Sequence, residues 1–187
     1  ESVDIGTENV TLVGPNAGTP GDASRGNEAV IQGQVDVNAK DVTVDGLQIS
    51  PNTGTFKTLP AAAVIVQNSN ATIQNNRVAD FTSNITDIGV NSVQGIQIYK
   101  SGTELTGIEV RSNNVENISY AGTSQAPDGT FGTDYGNVYG IHVQGEIGNA
   151  DVVDNTLRNL SSDGYTLAIA ASGTDADTDA NPDGVVV

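Results

Sequence analysis

The residues best suited to binding chemistry are concentrated in one stretch, 120–140, which reads YAGTSQAPDGTFGTDYGNVYG. It contains four of the eight aromatic residues of the chain, and carboxylates lie among them. Aromatic faces next to carboxylates suit the binding of sugars, and long loops often carry binding residues. We therefore predict a ligand-binding site at Tyr135, Tyr139, Asp128 and Asp134. The alternative is a loop that packs its own aromatic side chains.

Acidic residues dominate the last segment, 173–187, where four aspartates alternate with small residues: Asp175, Asp177, Asp179 and Asp183. The run 179–184 resembles the first half of a calcium-binding EF-hand loop. The ligand expected at the twelfth position of such a loop falls outside the sequence. The segment is therefore a candidate calcium site, and an acidic linker that leads into a further strand is the alternative.

Five asparagines have the Asn-X-Ser/Thr spacing that permits N-glycosylation of an exported protein: Asn9, Asn70, Asn84, Asn117 and Asn159. The motif also arises by chance in a chain rich in Asn, Ser and Thr. Asn84 lies in a loop-like stretch and is the best candidate. Asn117 and Asn159 recur at one position of a repeat, which favours a structural role for them.

These candidate residues are positioned by an internal repeat of short apolar segments. Four copies begin at matching residues, 29, 37 and 42 positions apart: Val44, Ile73, Val110 and Val152. A second apolar residue closes each copy: Ile49, Val78, Val115 and Leu157. Periods of roughly 20–50 residues indicate stacked or radial repeats, and no sustained helical period is present. A two-sheet sandwich does not explain why the copies share residue types at matching positions, whereas stacked strands do.

An asparagine-rich corner separates the two apolar positions of each copy. Asn76, Asn113 and Asn155 occupy the same place, and Leu47 takes that place in the first copy. Asparagine tolerates the left-handed backbone of a tight corner, and stacked amides hydrogen-bond to one another along the stack. We predict an internal ladder of these asparagines, with a structural rather than a chemical role.

A second set of strands carries the only histidine of the chain. Its segments share apolar residues two apart: 28–31, 63–66, 95–98, 140–143 and 168–171. His142 lies between Ile141 and Val143, which should point inward, so we predict an outward-facing surface residue. Its counterparts in the other copies are Ile65, Gln97 and Ala170. None of them is a carboxylate or an arginine that would tune the imidazole as a general base.

Five segments resemble the repeats of right-handed parallel β-helix proteins of the pectate-lyase-like superfamily, especially its surface-protein members: NVTLVGPNAG (9–18), NEAVIQG (27–33), DVTVDGLQIS (41–50), ATIQNNRV (71–78) and GIEVRSNNV (107–115). The resemblance covers residues 1–172. It implies an all-β fold, a single right-handed parallel β-helix or solenoid of about five coils with long loops between the coils. The acidic segment 173–187 would follow it as a tail or linker.

The catalytic motifs of this superfamily are missing. The sequence has no Asn-Thr-Asp, Asp-Asp, Gly-His-Gly or Arg-Ile-Lys set of the pectin hydrolases, and no Arg-X-Pro arrangement typical of many pectate lyases. The resemblance therefore implies the fold without a recognisable lyase or hydrolase site. This favours a non-catalytic module over an enzyme.

The charge of the chain excludes several classes of partner. There are 7 Lys and Arg against 23 Asp and Glu, for a formal net charge of -16. Nucleic acids and anionic membrane surfaces require basic patches that so few cations cannot supply. No apolar run approaches the ~18 residues of a membrane span. The acidic bias resembles haloarchaeal and other halophilic proteins, and an ordinary acidic secreted protein is the alternative.

We expect an exported module of a cell-surface or extracellular structural protein. The family usually begins with a helical cap, whereas this sequence begins in a strand-like ESVDIG and ends in Gly-Val-Val-Val. Two open ends would favour a larger surface assembly or end-to-end self-association into a filament. The main alternative is a carbohydrate-binding or polysaccharide-processing domain with its site on 120–140. An assembly subunit of a virus fibre is a third possibility.

Overall fold

The computed structural model describes residues 1–51, 61–83, 92–120, 136–162, 164–172 and 185–186. The regular structure of these residues consists of strands. The first nine strands are β1 (Val3–Ile5), β2 (Thr11–Val13), β3 (Val30–Ile31), β4 (Val35–Val37), β5 (Val42–Asp45), β6 (Gln48–Ile49), β7 (Ala61–Val66), β8 (Ala71–Gln74) and β9 (Arg77–Ser83). The following eight are β10 (Ser92–Leu105), β11 (Ile108–Arg111), β12 (Asn114–Tyr120), β13 (Asn137–Ile147), β14 (Ala150–Val153), β15 (Thr156–Ser161), β16 (Thr166–Ser172) and β17 (Val185–Val186).

The strands form three parallel sheets. Sheet A has the order β1-β4-β7-β10-β13-β16, sheet B has β17-β14-β11-β8-β5-β2, and sheet C has β15-β12-β9-β6-β3. Each strand pairs in parallel with the strand three positions further along the chain. The chain therefore passes through sheets A, B and C in turn, and each such passage is one circuit. The prediction of an all-β fold is confirmed, with parallel strands throughout the described pairings.

The interior is filled by rows of apolar side chains that run from circuit to circuit. In sheet B, Val44 pairs with Ile73, Ile73 with Val110, and Val110 with Val152. The corresponding row of sheet C is Ile49, Val78, Val115 and Leu157. Both rows are the predicted ones. Full burial of a Val or Ile side chain stabilises the fold by about 1.5–3 kcal/mol, so these rows are its main support.

Two glycines allow consecutive strands of sheet A to approach closely. A Cβ atom at Gly95 would collide with the carbonyl of Gly140 and with the side chain of Val115. A Cβ atom at Gly140 would collide with the carbonyl of Ala168 in the same way. Glycine is therefore required at the start of the repeated segments 95–98 and 140–143.

Two sequence predictions of element boundaries need correction. The segment 28–31 belongs to sheet C, where β3 pairs with β6, and β4 is the strand of sheet A that aligns with 63–66. The insertion predicted at 120–140 is shorter at both ends, because Tyr120 closes β12 and Asn137 opens β13. Val138 is fully buried, so its inward packing extends the strand into the expected loop.

Within the described ranges, no helix has the length and apolar character needed to cross a membrane.

Candidate functional site

Tyr139 is the predicted ligand-binding residue that falls within the described ranges. Tyr135, Asp128 and Asp134 lie outside them, as do Asn84 and the four aspartates proposed for calcium: Asp175, Asp177, Asp179 and Asp183. Tyr139 is on β13 rather than on a loop. Strand geometry turns it to the outer face of sheet A, where it pairs with Gln94 of β10 and Leu167 of β16.

Tyr139 and His142 form the centre of a polar face on sheet A. Their rings stack with centroids 4.4 Å apart and planes inclined by 17°. The two nitrogens of His142 have separate partners, with Nδ1 lying 3.1 Å from Oε1 of Gln94 and Nε2 lying 3.0 Å from Oγ of Ser172. One ring nitrogen donates and the other accepts, since the neutral imidazole carries a single proton. The ring is therefore held in one orientation from three sides.

His142 is outward-facing, as predicted, but it is not a surface residue. Only 8% of it is exposed, because Tyr139 covers the ring and Gln94 and Ser172 bracket its edge. Burial lowers the pKa of His142 to about 4, since the charged form loses its hydration. The imidazole is consequently neutral at physiological pH and acts as a hydrogen-bonding element of the polar face.

A buried amide extends the polar face along the same row. Gln97 pairs in register with His142 and is 3% exposed. Its Nε2 donates to Oε1 of Gln144 at 3.3 Å, whereas its own Oε1 has no hydrogen-bond partner among the described residues. Amide and aromatic groups without net charge suit the binding of neutral hydroxyl groups rather than acid–base chemistry. The described residues also contain no group of three His, Cys, Asp or Glu side chains that could hold a metal ion.

The sequence predicted part of this face. The repeat correctly predicted the row of His142, in which Gln97 and Ala170 are its neighbours and Ile65 is the neighbour of Gln97. It missed Gln94 and Ser172 as its partners. Gln94 could have been found from the alignment, since it pairs with Tyr139, three positions before the Gln97–His142 pair. The contact between His142 and Ser172 is diagonal across two neighbouring strands, and an alignment does not show such contacts.

We expect the buried His142 to make stability depend on pH. The unfolded state binds the proton near the ordinary pKa of about 6.5, whereas the folded state resists protonation until about pH 4. The stabilisation from neutral His142 is therefore complete above pH 6.5 and is lost as the pH falls toward 4. Between pH 7 and pH 5 the loss should be about 2 kcal/mol. Urea unfolding of the wild-type protein and His142→Gln measures it; an equal pH dependence in both proteins would contradict this assignment.

The predicted asparagine ladder is present inside the corner between sheets B and C. Nδ2 of Asn76 donates to Oδ1 of Asn113 at 3.2 Å, and Nδ2 of Asn113 donates to Oδ1 of Asn155 at 3.0 Å. The same oxygens accept the backbone N–H groups of Asn76 and Asn113, each at 3.0 Å. Leu47 ends the row by donating its backbone N–H to Oδ1 of Asn76. The ladder therefore links four consecutive circuits and satisfies the polar groups of their corners.

The four described asparagines of the glycosylation motifs share an unusual backbone. Each is exposed and has a positive φ between 53° and 59°: Asn9, Asn70, Asn117 and Asn159. Three of them also donate through Nδ2, the atom that a glycan would occupy: Asn70 to Asp41, Asn117 to Asp80, and Asn159 to Asn117. The left-handed corner gives each position a structural reason to be asparagine, independent of glycosylation.

The corner at Asn117 should tolerate glycine better than alanine. Asn117 has a φ of 55°, which costs an alanine about 1–2 kcal/mol and costs glycine little. Both substitutions remove the hydrogen bond to Asp80, so their difference isolates the backbone. We expect Asn117→Ala to unfold at lower urea concentration than Asn117→Gly, and the reverse order would show that the corner is not left-handed in solution.

Comparison with protein-family models, with curated proteins and with solved structures finds no match to this chain. No relative therefore supplies an activity or a ligand, and function is argued from the contacts of the chain itself.

Proposed function

We propose that the chain is a right-handed parallel β-helix that serves as a non-catalytic structural module of an extracellular or cell-surface protein, and that copies of it associate end to end. The cyclic passage through three parallel sheets supports the solenoid. Rows of like residues on consecutive circuits support it further, since stacking explains both the shared apolar positions and the asparagine ladder. A uniform stack of this kind can serve as a scaffold, and further copies would be added to it along its axis.

The observation that carries the proposal is the incomplete burial of apolar side chains at the two ends of the core. Inward side chains of the middle circuits, such as Ile73, Val110 and Val115, are fully buried. In the outermost strands Ile5 is buried, but six other inward apolar residues are only partly buried: Val3, Leu12, Ile31, Leu157, Leu160 and Ile169. Among the described residues, partly buried apolar side chains and strand edges without a pairing strand therefore coincide at both ends of the sheets, which is the combination that favours strand addition.

The order of strands indicates where two copies would meet. At one end the edge strands are β1, β2 and β3, and at the other they are β16, β17 and β15. Because β15 lies one circuit before β16 and β17, a second copy placed head to tail meets sheets A and B first. The junction is therefore expected between β16 and β17 of one copy and β1 and β2 of the next. Such a head-to-tail contact does not close on itself and produces a filament.

The negative charge of the chain suits an environment of high ionic strength, including an extracellular one. A net charge of -16 opposes association of copies at low ionic strength. At about 1 M salt the screening length falls to about 3 Å, so the apolar ends can meet. Halophilic or other high-salt surroundings would accordingly favour the assembled form.

Sedimentation velocity and negative-stain electron microscopy test the proposal directly. At high salt we expect sedimentation coefficients that rise with protein concentration, and rods whose width equals that of one module. Compact dimers or a monomer at every concentration would refute end-to-end association.

A second candidate is carbohydrate binding on the polar face of sheet A. The stacked Tyr139 and His142 rings, with the unpaired Oε1 of Gln97 nearby, support it, because sugars present both apolar faces and hydroxyl donors. Asp128, Asp134 and Tyr135 would complete such a site if the segment 121–135 lies over this face. Glycan-array screening separates the two candidates, since a purely structural module has no reason to select a glycan.

A further inference from the structure

A cleft on the outer face of sheet C brings together most of the arginines of the chain. It lies beneath the segment between β2 and β3, has a volume of about 310 Å³, and is lined by Asp22, Arg25, Arg77, Asn114, Glu116 and Arg158 among others. We refer to it as the arginine cleft. Three of the seven Lys and Arg residues of the chain line it, which is unexpected in a protein with so large an excess of acid.

The segment between β2 and β3, which forms the roof of the arginine cleft, is hydrogen-bonded to several circuits. The backbone N–H of Gly21 donates to the carbonyl of Ser112 at 2.8 Å, and the Thr156 hydroxyl donates to Asp22 at 2.9 Å. Gly21 has no room for a Cβ atom, which would collide with the backbone of Asn76 and Asn114. Arg25 is held by Glu28 through contacts of 2.7 and 3.0 Å. These contacts therefore fix the position of the segment over the cavity.

On the floor of the arginine cleft, formed by β9, β12 and β15, two arginines share one buried carboxylate. Glu116, 5% exposed, accepts from Nε of Arg77 at 2.7 Å and from Nε of Arg158 at 2.6 Å. Burial raises the pKa of Glu116, but hydrogen bonds from Arg158 and Asn114 and the charge of Arg77 outweigh it and hold the pKa below its usual value. Both guanidinium groups use Nε for Glu116, and Nη2 of Arg77 also lies 3.9 Å from the exposed carboxylate of Asp80. The Nη groups of Arg158 and Nη1 of Arg77 can meet a second anion.

An acceptor beside these arginines lacks a donor. Asn114 is 1% exposed and lines the cleft, and its Oδ1 has no hydrogen-bond partner in the part of the chain that the structure describes. Its amide also supports Glu116 by a hydrogen bond. A buried acceptor without a donor costs about 1–3 kcal/mol. The carboxylate of Asp22 lies in the same lining, so a donor with a positive charge would suit this side of the cleft.

We propose that the arginine cleft binds a small zwitterion with a carboxylate and an ammonium group, the chemistry of a free α-amino acid. The ligand carboxylate meets Nη1 of Arg77 and the Nη groups of Arg158, and the ammonium group donates to Oδ1 of Asn114 near Asp22. A simple anion would leave Oδ1 of Asn114 without a donor and the charge of Asp22 without a cation. A simple cation would lie against the two guanidinium groups of the floor. The volume lies at the lower limit of small-molecule sites, about 300 Å³, which fits a ligand of this size.

Amide-detected NMR titration with each neutral α-amino acid in turn tests this proposal. We expect saturable shifts of the Asn114 side-chain amide and of the Arg158 Nε–H signal with at least one of them. For that amino acid, the analogue without the ammonium group and the analogue without the carboxylate should each bind at least about tenfold more weakly. If the analogue without the ammonium group binds equally well, the cleft is a plain anion site and the proposal fails.

A matched pair of substitutions tests whether the amino acid binds in the arginine cleft. Arg158→Gln removes one floor cation, whereas Arg111→Gln makes the same change on sheet B; the two side chains are 52% and 50% exposed, so neither should prevent folding. We expect about tenfold weaker binding for Arg158→Gln and no change for Arg111→Gln. Absence of saturable shifts with every amino acid would mean that only water occupies the cleft, and would overturn the proposal. End-to-end association is measured separately and is unaffected by either outcome.

Discussion

Replacing Asn113 by alanine is expected to lower the free energy of unfolding by about 3–5 kcal/mol. Asn113 is 1% exposed and stands in the middle of the ladder. Its Oδ1 accepts from both the backbone and the side chain of Asn76, and its Nδ2 donates to Asn155 and to the carbonyl of Ile73 at 2.8 Å. Alanine would leave these buried groups without partners and open a small cavity between the circuits.

Asn114 provides a matched control for this prediction. It is the next residue, is equally buried, and faces outward, where its Oδ1 has no partner to lose. We expect Asn114→Ala to cost about 1 kcal/mol or less, because it removes the hydrogen bond to Glu116 and an unsatisfied acceptor together. Urea unfolding of both variants, with equal m values as the check on two-state behaviour, measures the difference. Equal losses in the two variants would show that the ladder does not stabilise the fold.

The repeat made the interior of this protein predictable from its sequence. Val44, Ile73, Val110 and Val152 fall in one row because each strand places its residues on those of the next strand in register. The ladder through Asn113 follows from the same register. A parallel stack repeats one set of contacts, so aligning the copies of a segment is equivalent to stating which side chains touch.

What the repeat does not cover was not predictable. The roof of the arginine cleft depends on one long connection, and its contact between Asp22 and Thr156 joins residues 134 positions apart. Alignment places Glu116 opposite Arg158 and Asn114 opposite Arg77, yet nothing in it shows that a segment from the first circuit covers them. The burial of His142 was missed for a related reason. The outer face of a sheet is ordinarily solvated, whereas ring stacking and hydrogen bonds from neighbouring strands enclose His142.

The second large effect is expected at β2, the edge strand of sheet B among the described strands. Leu12 of β2 aligns with Val44 in the core row but is only partly buried. In an isolated copy, lysine at this position can extend its ammonium group through the open end into water, so Leu12→Lys should fold. In an end-to-end junction the same ammonium group would be buried without a partner, which costs several kcal/mol. Association should therefore be lost.

Val13→Lys is the control for the added charge. Val13 follows Leu12 on the same strand but is 57% exposed and aligns with Asp45 on the outer face of sheet B. Both variants change the net charge by the same amount, so they differ only in the direction of the lysine. Circular dichroism melting establishes that both are folded before association is compared.

Sedimentation velocity of the wild-type protein, Leu12→Lys and Val13→Lys at about 1 M salt is the most direct test of end-to-end association. If copies associate end to end, the sedimentation coefficients of the wild-type protein and Val13→Lys rise together with concentration, while Leu12→Lys remains a monomer. A wild-type protein that stays monomeric, or a folded Leu12→Lys that associates as the wild-type protein does, would contradict it.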